Sequence, residues 1–474
     1  MSQVVIPNGA RTAAKRLPPM RVAFLVSNLP VGGAEVLLLN LVQRIDRARF
    51  SPIVVCTKSG GELAAPMKAT VPVYERFLAN KWDIRIAYRL TSFFRRQRID
   101  AVVTVGAGDK MFWGRLCARL AGVPVVCSAL HSTGWPDGVG RLNRWLTPLT
   151  DAFIACAGQH ARFLIDAEKF PPQKVHVVPN GVDTERFRPH PACRDRLREQ
   201  LALSPTAPCV GIVAALRPEK NHEQFIDAAR RVLRVHPDCH FLIVGDGPCR
   251  PFIENKIAEL GLEKRVHMLG ARSDIPQLLA GLDVFCLTSR NEANPVSVLE
   301  ALACAVPVVS PAVGSVDESV IDGRTGLLTP PLSAEHTAEA IIRLLDRPQW
   351  AHTLGQQGRE LVEERFSIDA MIGGYQALLT VLYDDACRCR VRRWQSRLFG
   401  RRSQVGQEVQ SQALRERDTP PWGAIRTAAT GHDEHSAGEP TKPPAIGAPG
   451  RTATAVIEAP AGEDQVHPCT NFEH

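Results

Sequence analysis

Short apolar segments alternate with helix-patterned segments along most of this sequence, and this alternation limits the possible folds more than any other feature. In the first half, apolar segments lie at Val22–Ser27, Ile53–Cys56, Ala101–Val105, Val123–Ser128 and Phe153–Ala157. Segments with helical periodicity, such as 36–45 and 111–121, separate them. Because apolar runs without polar alternation are typical of strands buried on both faces, the pattern predicts a parallel sheet covered by helices on both sides.

The same pattern restarts in the second half, so we expect two α/β domains of this kind. The second set of predicted strands comprises Val210–Ala214, Phe241–Val244, Val266–Met268, Val284–Leu287 and Val306–Ser310. Helices are predicted at about 221–235, 250–261, 274–281, 295–304 and 334–346. The length of 474 residues agrees, because one hydrophobic core stops growing at roughly 250–300 residues.

The domain boundaries follow from shifts in composition. The stretch 188–208 contains four prolines and is interpreted as the connection between the domains. Residues from 403 onward are rich in Pro, Gly, Ala and Thr, which predicts disorder. The predicted segments are a flexible lead-in at 1–20, a first domain at 21–190, a linker at 191–208, a second domain at 209–365, a terminal helix at 366–387, a basic amphipathic segment at 388–402 and a disordered tail at 403–474.

The cysteines and the apolar pattern restrict the cellular context. The thirteen cysteines are scattered, and none stands in a Cys-x2-Cys pair. This argues for reduced, mostly buried thiols and against a disulfide scaffold or a structural zinc site. No uncharged apolar segment reaches the roughly 18 residues of a membrane-spanning helix, and no secretory signal is clear. We therefore expect a cytoplasmic protein.

The first candidate site is Arg217-Pro218-Glu219-Lys220, between a predicted strand and a predicted helix. Ligands of doubly wound sheets bind beyond the carboxyl ends of the strands, so this turn should face the cleft between the domains. Two cations beside a helix N-terminus can neutralise a diphosphate. The alternative interpretation is a solvated loop with a surface ion pair.

The second candidate site extends from Glu292 to Glu300. Asn294 is predicted to cap a helix and Pro295 to occupy its first turn. The helix start at Asn294, Pro295 and Val296 would present backbone N–H groups to phosphate oxygens. Glu300 could accept two hydrogen bonds from a ribose diol, and Glu292 could reach a sugar hydroxyl. The alternative is that Glu292 is an ordinary loop charge and Glu300 an ordinary helix-surface residue.

Three further loops follow predicted strands. Gly32 and Gly33 allow close backbone approach to a phosphate, or form a simple tight turn. His131 lies just beyond a strand end, in the predicted cleft, or is a structural loop histidine. Gly245-Asp246-Gly247-Pro248 is a tight turn at the cleft edge, with a purely structural role as the equal alternative.

Taken together, these motifs resemble the family 4 retaining glycosyltransferases of the GT-B fold, with two Rossmann-like domains facing a cleft. The resemblance covers roughly residues 21–385, and the matching elements occur in the family's order. They are Gly32-Gly33-Ala34-Glu35, His131, Pro179-Asn180-Gly181-Val182-Asp183, Arg217-x-x-Lys220, Gly245-Asp246-Gly247-Pro248, Glu292-x7-Glu300, Pro307-Val308-Val309 and Asp322-Gly323-x-x-Gly326-Leu327.

The resemblance implies roles for individual residues. Arg217 and Lys220 would hold the donor diphosphate, and Glu300 the ribose. Glu292 would approach the donor sugar, and His131 would sit at the reacting centre. The backbone N–H groups of the Gly32–Gly33 turn would reach the phosphates from across the cleft. The first domain would then bind the acceptor and the second domain the nucleotide-sugar donor.

The resemblance also implies an activity: transfer of a sugar, with retained configuration, from a UDP- or GDP-sugar to a glycan, lipid-linked or other hydroxyl acceptor in cell-surface polysaccharide or glycolipid assembly. No protein nucleophile is expected. No cofactor and no metal are expected either, since the sequence has no Asp-x-Asp pair. The family commonly has Gly where this chain has Ala293 and Ala305. A methyl group at 293 would affect the choice of sugar more than nucleotide binding.

Other functions remain open on the sequence alone. The same fold serves nucleotide-sugar epimerases, although the Glu-x7-Glu and Arg-x-x-Lys motifs favour transfer. A non-catalytic sugar-nucleotide-binding protein is a second alternative, kept open by Ala293 and Ala305. Fold analogy does not decide among these three.

A basic segment, Arg388–Arg402, contains seven arginines and no acidic residue. At helical spacing Val391, Trp394 and Leu398 share a face, with Phe399 beside them. This pattern predicts either an interfacial helix on the anionic inner face of the plasma membrane or a solvated linker, and nucleic-acid binding is not expected. Arg85–Arg98 is a second basic helix, for which the same membrane contact or simple exposure is predicted.

Overall fold

The computed structural model describes residues 18–80, 83–106, 108–131 and 144–399, with side chains up to 391. The first domain is built on a parallel sheet in the order β3-β2-β1-β4-β5-β6-β7. Its strands are β1 (Met20–Val26), β2 (Phe50–Cys56), β3 (Val73–Tyr74), β4 (Ala101–Val105), β5 (Val125–Ala129), β6 (Ala152–Ala155) and β7 (Val175–Val177).

Helices cover both faces of this sheet, which explains why its central strands β4 and β5 are buried at every position. They are α1 (Gly33–Arg44), α2 (Ala64–Lys68), α3 (Ile86–Gln97), α4 (Asp109–Ala121) and α5 (Gly158–Asp166). On one face, α1 buries Leu37, Leu38 and Leu41. On the other face, Leu90 and Phe94 of α3 are buried.

The second domain repeats the arrangement with a parallel sheet in the order β10-β9-β8-β11-β12-β13. Its strands are β8 (Cys209–Val213), β9 (His240–Val244), β10 (Val266–Gly270), β11 (Val284–Cys286), β12 (Val308–Pro311) and β13 (Gly326–Thr329). Its helices are α6 (Pro191–Gln200), α7 (His222–Val232), α8 (Arg250–Glu259), α9 (Ile275–Ala280), α10 (Val296–Ala303), α11 (Ala334–Leu345) and α12 (Pro348–Arg365). The prediction of two doubly wound, parallel-sheet domains is confirmed.

Residues 191–200, the first part of the predicted linker at 191–208, form helix α6. Pro191 stands in the first helical turn, where a proline is tolerated. Cys193 and Leu197 are buried, and a Cβ at Gly281 would lie 2.9 Å from the carbonyl oxygen of Cys193. Of the four prolines of the stretch, Pro189 and Pro191 therefore stand at the start of a packed helix, and Pro205 and Pro208 follow it.

The terminal helix α13 runs from Ile368 to Phe399 without a break. The predicted helix at 366–387 and most of the predicted basic segment at 388–402 therefore belong to one helix. The physical reason is that no Gly or Pro interrupts the chain between Gly374 and Gly400. The side chains of Trp394, Leu398 and Phe399, the lead-in up to residue 17 and the tail from 400 lie outside what the structure describes.

The first half of α13 belongs to the core of the first domain. Met371, Ile372, Tyr375 and Leu379 are buried in the same cluster as the apolar residues of β1 and α1. The twelve cysteines in the described ranges are all free, and ten of them are buried. Within those ranges, no helix combines the length and the apolar character that crossing a bilayer requires.

Candidate active site

The cationic turn after β8 is held in place by the neighbouring loops. Residues Pro218–Lys220 form one short 3-10 turn, and Asn221 adopts the left-handed conformation with a φ of 51° before α7 begins. The hydroxyl of Thr288, just past β11, donates to the carbonyl oxygens of Lys220 at 3.2 Å and Asn221 at 3.0 Å. The position of Lys220 is therefore fixed by the end of the adjacent strand.

The turn at Gly245–Gly247 supports this loop from the other side. Gly245 and Gly247 have φ values of 139° and 158°. A Cβ at Gly245 would lie 2.0 Å from the carbonyl oxygen of Ala214, and one at Gly247 would lie 2.5 Å from that of Leu216. Only glycine allows so close an approach, so these contacts favour the structural alternative for this motif.

Lys220 and Glu292, which are far apart in sequence, meet in an ion pair. Lys220 Nζ lies 2.5 Å from Glu292 Oε1, and the Glu292 side chain is only 9% exposed. Arg217 differs, since its side chain is 63% exposed and its nearest carboxylate, Glu219, is 4.0 Å away. In this turn, Lys220 is therefore paired with a buried carboxylate, whereas Arg217 faces solvent.

Helix α10 begins one residue later than predicted, and Asn294 is not its cap. The N-cap residue is Pro295, and no side chain caps the helix. Asn294 is 6% exposed, and its Nδ2 donates instead to the carbonyl oxygen of Cys156 in the first domain, at 2.9 Å. This hydrogen bond to the first domain replaces the predicted cap of the helix. The first N–H groups of α10, at Val296 and Ser297, therefore have no intrahelical acceptor.

The N-termini of α1 and α10 converge from the two domains. Gly32 is the N-cap of α1, and Gly33 is its first residue. A Cβ at Gly33 would lie 3.5 Å from Cγ2 of Val296, so the space between the two helix starts is about the size of one methyl group. Each helix N-terminus carries partial positive charge and unpaired N–H groups. Their convergence therefore creates an environment that favours an anion.

Glu300 lies on α10 and is partly exposed, and the pKa of its carboxyl group is well above the ordinary value. Burial raises the pKa of Glu300 to about 8, and the positive charge of Arg186 offsets only a part of that rise. The carboxyl is therefore largely protonated at neutral pH. A protonated carboxyl both donates and accepts hydrogen bonds, which suits a hydroxyl-bearing partner.

His131 follows β5 and lines a small cavity with residues of β1, α1 and α13. Burial lowers the pKa of its imidazole to about 4, with a partial opposing effect from a hydrogen bond to Asn180 and a further lowering by the charge of Lys110. Nδ1 of this ring is buried and has no hydrogen-bond partner among the described residues. The imidazole is thus neutral at physiological pH. The loop that follows it, at 132–143, lies outside the described residues.

The two domains are also joined beside the cleft, at the N-terminus of α5. The carboxylate of Glu318 accepts hydrogen bonds from the backbone N–H groups of Gly158 at 3.0 Å and Gln159 at 2.7 Å. The hydroxyl of Ser315 accepts from the N–H of His160 at 3.1 Å. An acidic side chain of the second domain therefore caps a helix of the first. This contact was missed at the sequence level, because Glu318 stands in no motif.

The structure thus brings together Lys220 with Glu292, and Gly33 with Val296, while Arg217 remains exposed at the rim. In the described part of the chain, no group of three or more His, Cys, Asp or Glu side chains is arranged to hold a metal ion. The residues that sequence reasoning missed are Thr288 and Glu318. Asn180 was noted only as part of a motif, without a contact.

Two family models match the chain. The model of the family described as Glycosyltransferase Family 4 matches residues 31–186, and that of Glycosyl transferases group 1 matches residues 194–361. The chain is 30% identical over 320 residues to the alpha-D-kanosaminyltransferase of Streptomyces kanamyceticus, which covers 61% of this chain and 78% of that protein. It is 28% identical over 331 residues to an Escherichia coli UDP-Gal:alpha-D-GlcNAc-diphosphoundecaprenol alpha-1,3-galactosyltransferase, covering 67% and 85% of the two chains.

Solved structures share the fold. HepE of Anabaena in complex with UDP and glucose superposes with a TM-score of 0.68 at 23% identity, covering 76% of this chain and 99% of that one. WaaG, a glycosyltransferase involved in lipopolysaccharide biosynthesis, superposes with a TM-score of 0.61 at 15% identity, covering 76% and 99%. At these identities the likeness concerns the fold.

Proposed function

Since the chain belongs to the family 4 and group 1 glycosyltransferases of the GT-B fold, we propose that it transfers a sugar, with retained anomeric configuration, from a UDP- or GDP-sugar to a hydroxyl of a glycan or lipid-linked acceptor. That the chain is a glycosyltransferase with a nucleotide-sugar donor follows from the family. Retention, donor and acceptor are the proposal. The observation that carries it is the convergence of two helix N-termini beside the Lys220 turn.

The convergence supports binding of the donor diphosphate between the domains. Gly33 and Val296 place the starts of α1 and α10 beside each other, and a diphosphate is the anion that a nucleotide sugar carries. Lys220 would add a charge from the second domain, and exposed Arg217 would close over the diphosphate from the rim. Because Lys220 is now paired with Glu292, donor binding would require these two side chains to share or exchange partners.

The same loop would select the sugar. Glu292 is buried beside Lys220 and would accept a hydroxyl of the donor sugar, while Glu300 would bind the ribose from α10. Ala293, where the family commonly has glycine, is 4% exposed. Its methyl group therefore packs inside the protein, and any effect on the choice of sugar would act through the loop backbone.

The proposed reaction takes place on one face of the sugar. The bond from the anomeric carbon to the diphosphate oxygen breaks, and a bond to the acceptor oxygen forms on the same face. The acceptor proton passes to the departing diphosphate oxygen. Lys220, Arg217 and the two helix N-termini would stabilise the negative charge that develops there, without need of a metal ion. His131 of the first domain, which is neutral at physiological pH, would orient the reacting groups.

We further propose that the enzyme meets a lipid-linked acceptor at the cytoplasmic face of the membrane. Relatives are named for such acceptors: a diphosphoundecaprenol in Escherichia coli and a phosphatidylinositol mannoside in Mycolicibacterium smegmatis. At α3, Ile84 and Tyr88 are 75% and 79% exposed, next to the exposed Arg85. Apolar and aromatic side chains flanked by arginine are typical of surfaces that bind anionic lipid.

The decisive experiment measures donor binding and transfer separately. Thermal shifts with UDP-, GDP- and ADP-sugars identify the donor, and mass spectrometry with polyprenyl-linked acceptors identifies the product. Lys220→Ala should abolish turnover. Lys256→Ala, which also breaks a lysine–carboxylate pair but on α8, should not. A wild-type protein that ignores every activated sugar at millimolar supply, or an epimerised sugar nucleotide without transfer, would refute the proposal.

A further inference from the structure

The loop that carries Glu292 is bonded to the first domain at two points, and both lie where β6 leads into α5. Asn294 Nδ2 donates to the carbonyl oxygen of Cys156 at 2.9 Å. The second connection runs through Ser315, whose N–H donates to the carbonyl oxygen of Glu292 at 3.1 Å. The hydroxyl of the same serine accepts from the N–H of His160 at 3.1 Å. Ser315 therefore contacts both the backbone of Glu292 and the first domain.

These contacts leave the backbone of Glu292 little freedom. Ser315 is 2% exposed. A Cβ at the preceding residue, Gly314, would lie 1.7 Å from the carbonyl oxygen of Glu292, so the two backbones are in direct contact. The carboxylate of Glu292 is in turn paired with Lys220. The position of Glu292 is thus determined at its side chain by Lys220 and at its backbone by Ser315 and Gly314.

The segment that contains Ser315 also determines the position of α5. The carboxylate of Glu318 accepts from the N–H groups of Gly158 at 3.0 Å and Gln159 at 2.7 Å. With the bond from His160 to Ser315, three consecutive N–H groups of α5 are bonded to this one segment after β12. The first N–H groups of a helix have no acceptor within the helix. The second domain supplies those acceptors, and the two domains are docked through them.

We propose that Ser315 is a positioning residue, which holds the backbone of Glu292 in the orientation that the donor sugar requires while the first domain is docked against it. The proposal rests on the proposed function, in which Glu292 accepts a hydroxyl of that sugar. The diphosphate and the ribose are assigned to other residues. Loss of the Ser315 hydroxyl should therefore affect binding of the sugar and leave binding of the nucleotide unchanged.

The arrangement couples sugar binding to domain docking. Glu292 belongs to the second domain, but its backbone is held by a serine whose hydroxyl is bonded to the first. If docking improves the fit of Glu292 to the sugar, then by linkage the bound sugar favours docking by the same factor. A sugar that Glu292 does not bind would lack this effect.

The first test compares sugar nucleotides with free nucleotides by calorimetry on the full-length protein. The probes are UDP-glucose, UDP-galactose and GDP-mannose, each against UDP or GDP alone. Ser315→Ala should weaken binding of the preferred sugar nucleotide at least about fivefold and change the affinity for its free nucleotide by less than about twofold. The bonds of Glu318 and Asn294 remain in this variant and keep the domains docked.

The second variant, Glu318→Ala, removes two of the bonds that dock the domains. The start of α1 belongs to the first domain and is assigned to the diphosphate. Looser docking should therefore weaken binding of the sugar nucleotide and of the free nucleotide alike, each at least about threefold. The two variants thus separate positioning of Glu292 from docking of the domains.

The matched control is Ser319→Ala. Ser319 is 1% exposed, and its hydroxyl donates to the carbonyl oxygen of Val316 within the second domain at 3.1 Å. This variant loses a hydroxyl of equal burial that does not reach the first domain, so both affinities should stay within about twofold of the wild type.

A double variant tests whether Ser315 acts through Glu292. Ser315→Ala combined with Glu292→Gln should bind the sugar nucleotide no more weakly than Glu292→Gln alone, because the effects of two residues that act through one contact are not additive. If Ser315→Ala does not fold, Ser315→Cys carries the same expectation, since its thiol has a similar size but accepts hydrogen bonds only weakly.

The outcomes separate failure of this proposal from failure of the proposed function. Equal weakening of sugar nucleotide and free nucleotide by Ser315→Ala, unchanged binding of both, or additive losses in the double variant would overturn the positioning role alone. A wild-type protein that binds none of the three sugar nucleotides would overturn the proposed function and this role with it. Hydrogen exchange at the N–H of His160, measured by NMR, verifies that the bond to Ser315 is lost: it should be at least about tenfold faster in Ser315→Ala than in Ser319→Ala.

Discussion

Replacing Glu300 by glutamine should make the ligand-free protein more stable at neutral pH, although it removes a residue we assign to donor binding. Burial raises the pKa of this carboxyl from 4.5 to about 8. Between these values the folded protein binds more protons than the unfolded chain, so stability falls as pH rises. Glutamine has the same size and hydrogen-bonding shape but carries no such cost.

The size of the effect follows from the shift. Each pH unit above 4.5 lowers the free energy of unfolding of the wild type by about 1.4 kcal/mol, which amounts to about 3.4 kcal/mol at pH 7. Because Glu300 keeps part of its surface in water, we expect solvent screening to reduce the gain in the variant to about 2 kcal/mol. The gain should disappear below pH 4.5, where the carboxyl is protonated in both states.

The assay is urea unfolding of wild type and Glu300→Gln at pH values from 5 to 8, without ligand and with UDP. Glu199→Gln, an exposed glutamate on α6, is the matched control and should show no pH-dependent gain. With UDP present, the wild type should become the more stable of the two proteins, because a ligand that binds only the folded state stabilises it more the more tightly it binds. A stability difference that stays constant from pH 5 to pH 8 would refute the reasoning.

Three other predictions concern separate parts of the molecule. Ala305 follows α10 in the left-handed conformation with a φ of 57°, so Ala305→Gly should raise the free energy of unfolding by about 1 kcal/mol in urea denaturation, and Ala303→Gly within the helix should lower it. His222 is buried, neither of its ring nitrogens has a hydrogen-bond partner among the described residues, and burial lowers its pKa to about 4. The stability that comes from burying the neutral ring is complete above pH 6.5 and is lost as pH falls toward 4. Between pH 7 and pH 5, the free energy of unfolding of His222→Leu should therefore fall by about 2 kcal/mol less than that of the wild type. An equal fall in both proteins would contradict the burial argument. The double variant Ile84→Ser, Tyr88→Ser should bind phosphatidylglycerol-containing vesicles at least about tenfold more weakly in a flotation assay. The control variant Val235→Ser, which also removes an exposed apolar side chain, should bind like the wild type. Unchanged flotation of the double variant would exclude α3 as the surface that binds the membrane.

The fold could be predicted from sequence largely because fully buried strands have an unmistakable pattern. Residues 101–105 are apolar or small and buried at every position, and both ends of this strand were predicted correctly. The edge strands β3, β7 and β13 were missed, since two to four residues such as Val73–Tyr74 give no periodic signal. Helix α6 was missed because prolines at its start resemble a linker.

The candidate site could be predicted only where a motif is local. The order of the motifs led to Lys220 and Glu292, but no sequence rule states that they pair across 72 positions. For Asn294, by contrast, the local motif led to a wrong prediction, because this residue does not cap α10. Its preference for helix caps is a local tendency of about 1 kcal/mol, and a tertiary bond to Cys156 overrode it. Contacts between the domains, such as that of Glu318 with α5, have no local signal at all.

The position of α13 has a consequence for how the protein is made. Met371, Ile372, Tyr375 and Leu379 complete the interior of the first domain, yet they are translated after the whole of the second. During synthesis, part of the interior of the first domain therefore stays uncovered until the ribosome has added α13. A fragment that stops at residue 190 would remain in that unfinished condition, so the two halves cannot be separated by a single cut in the gene.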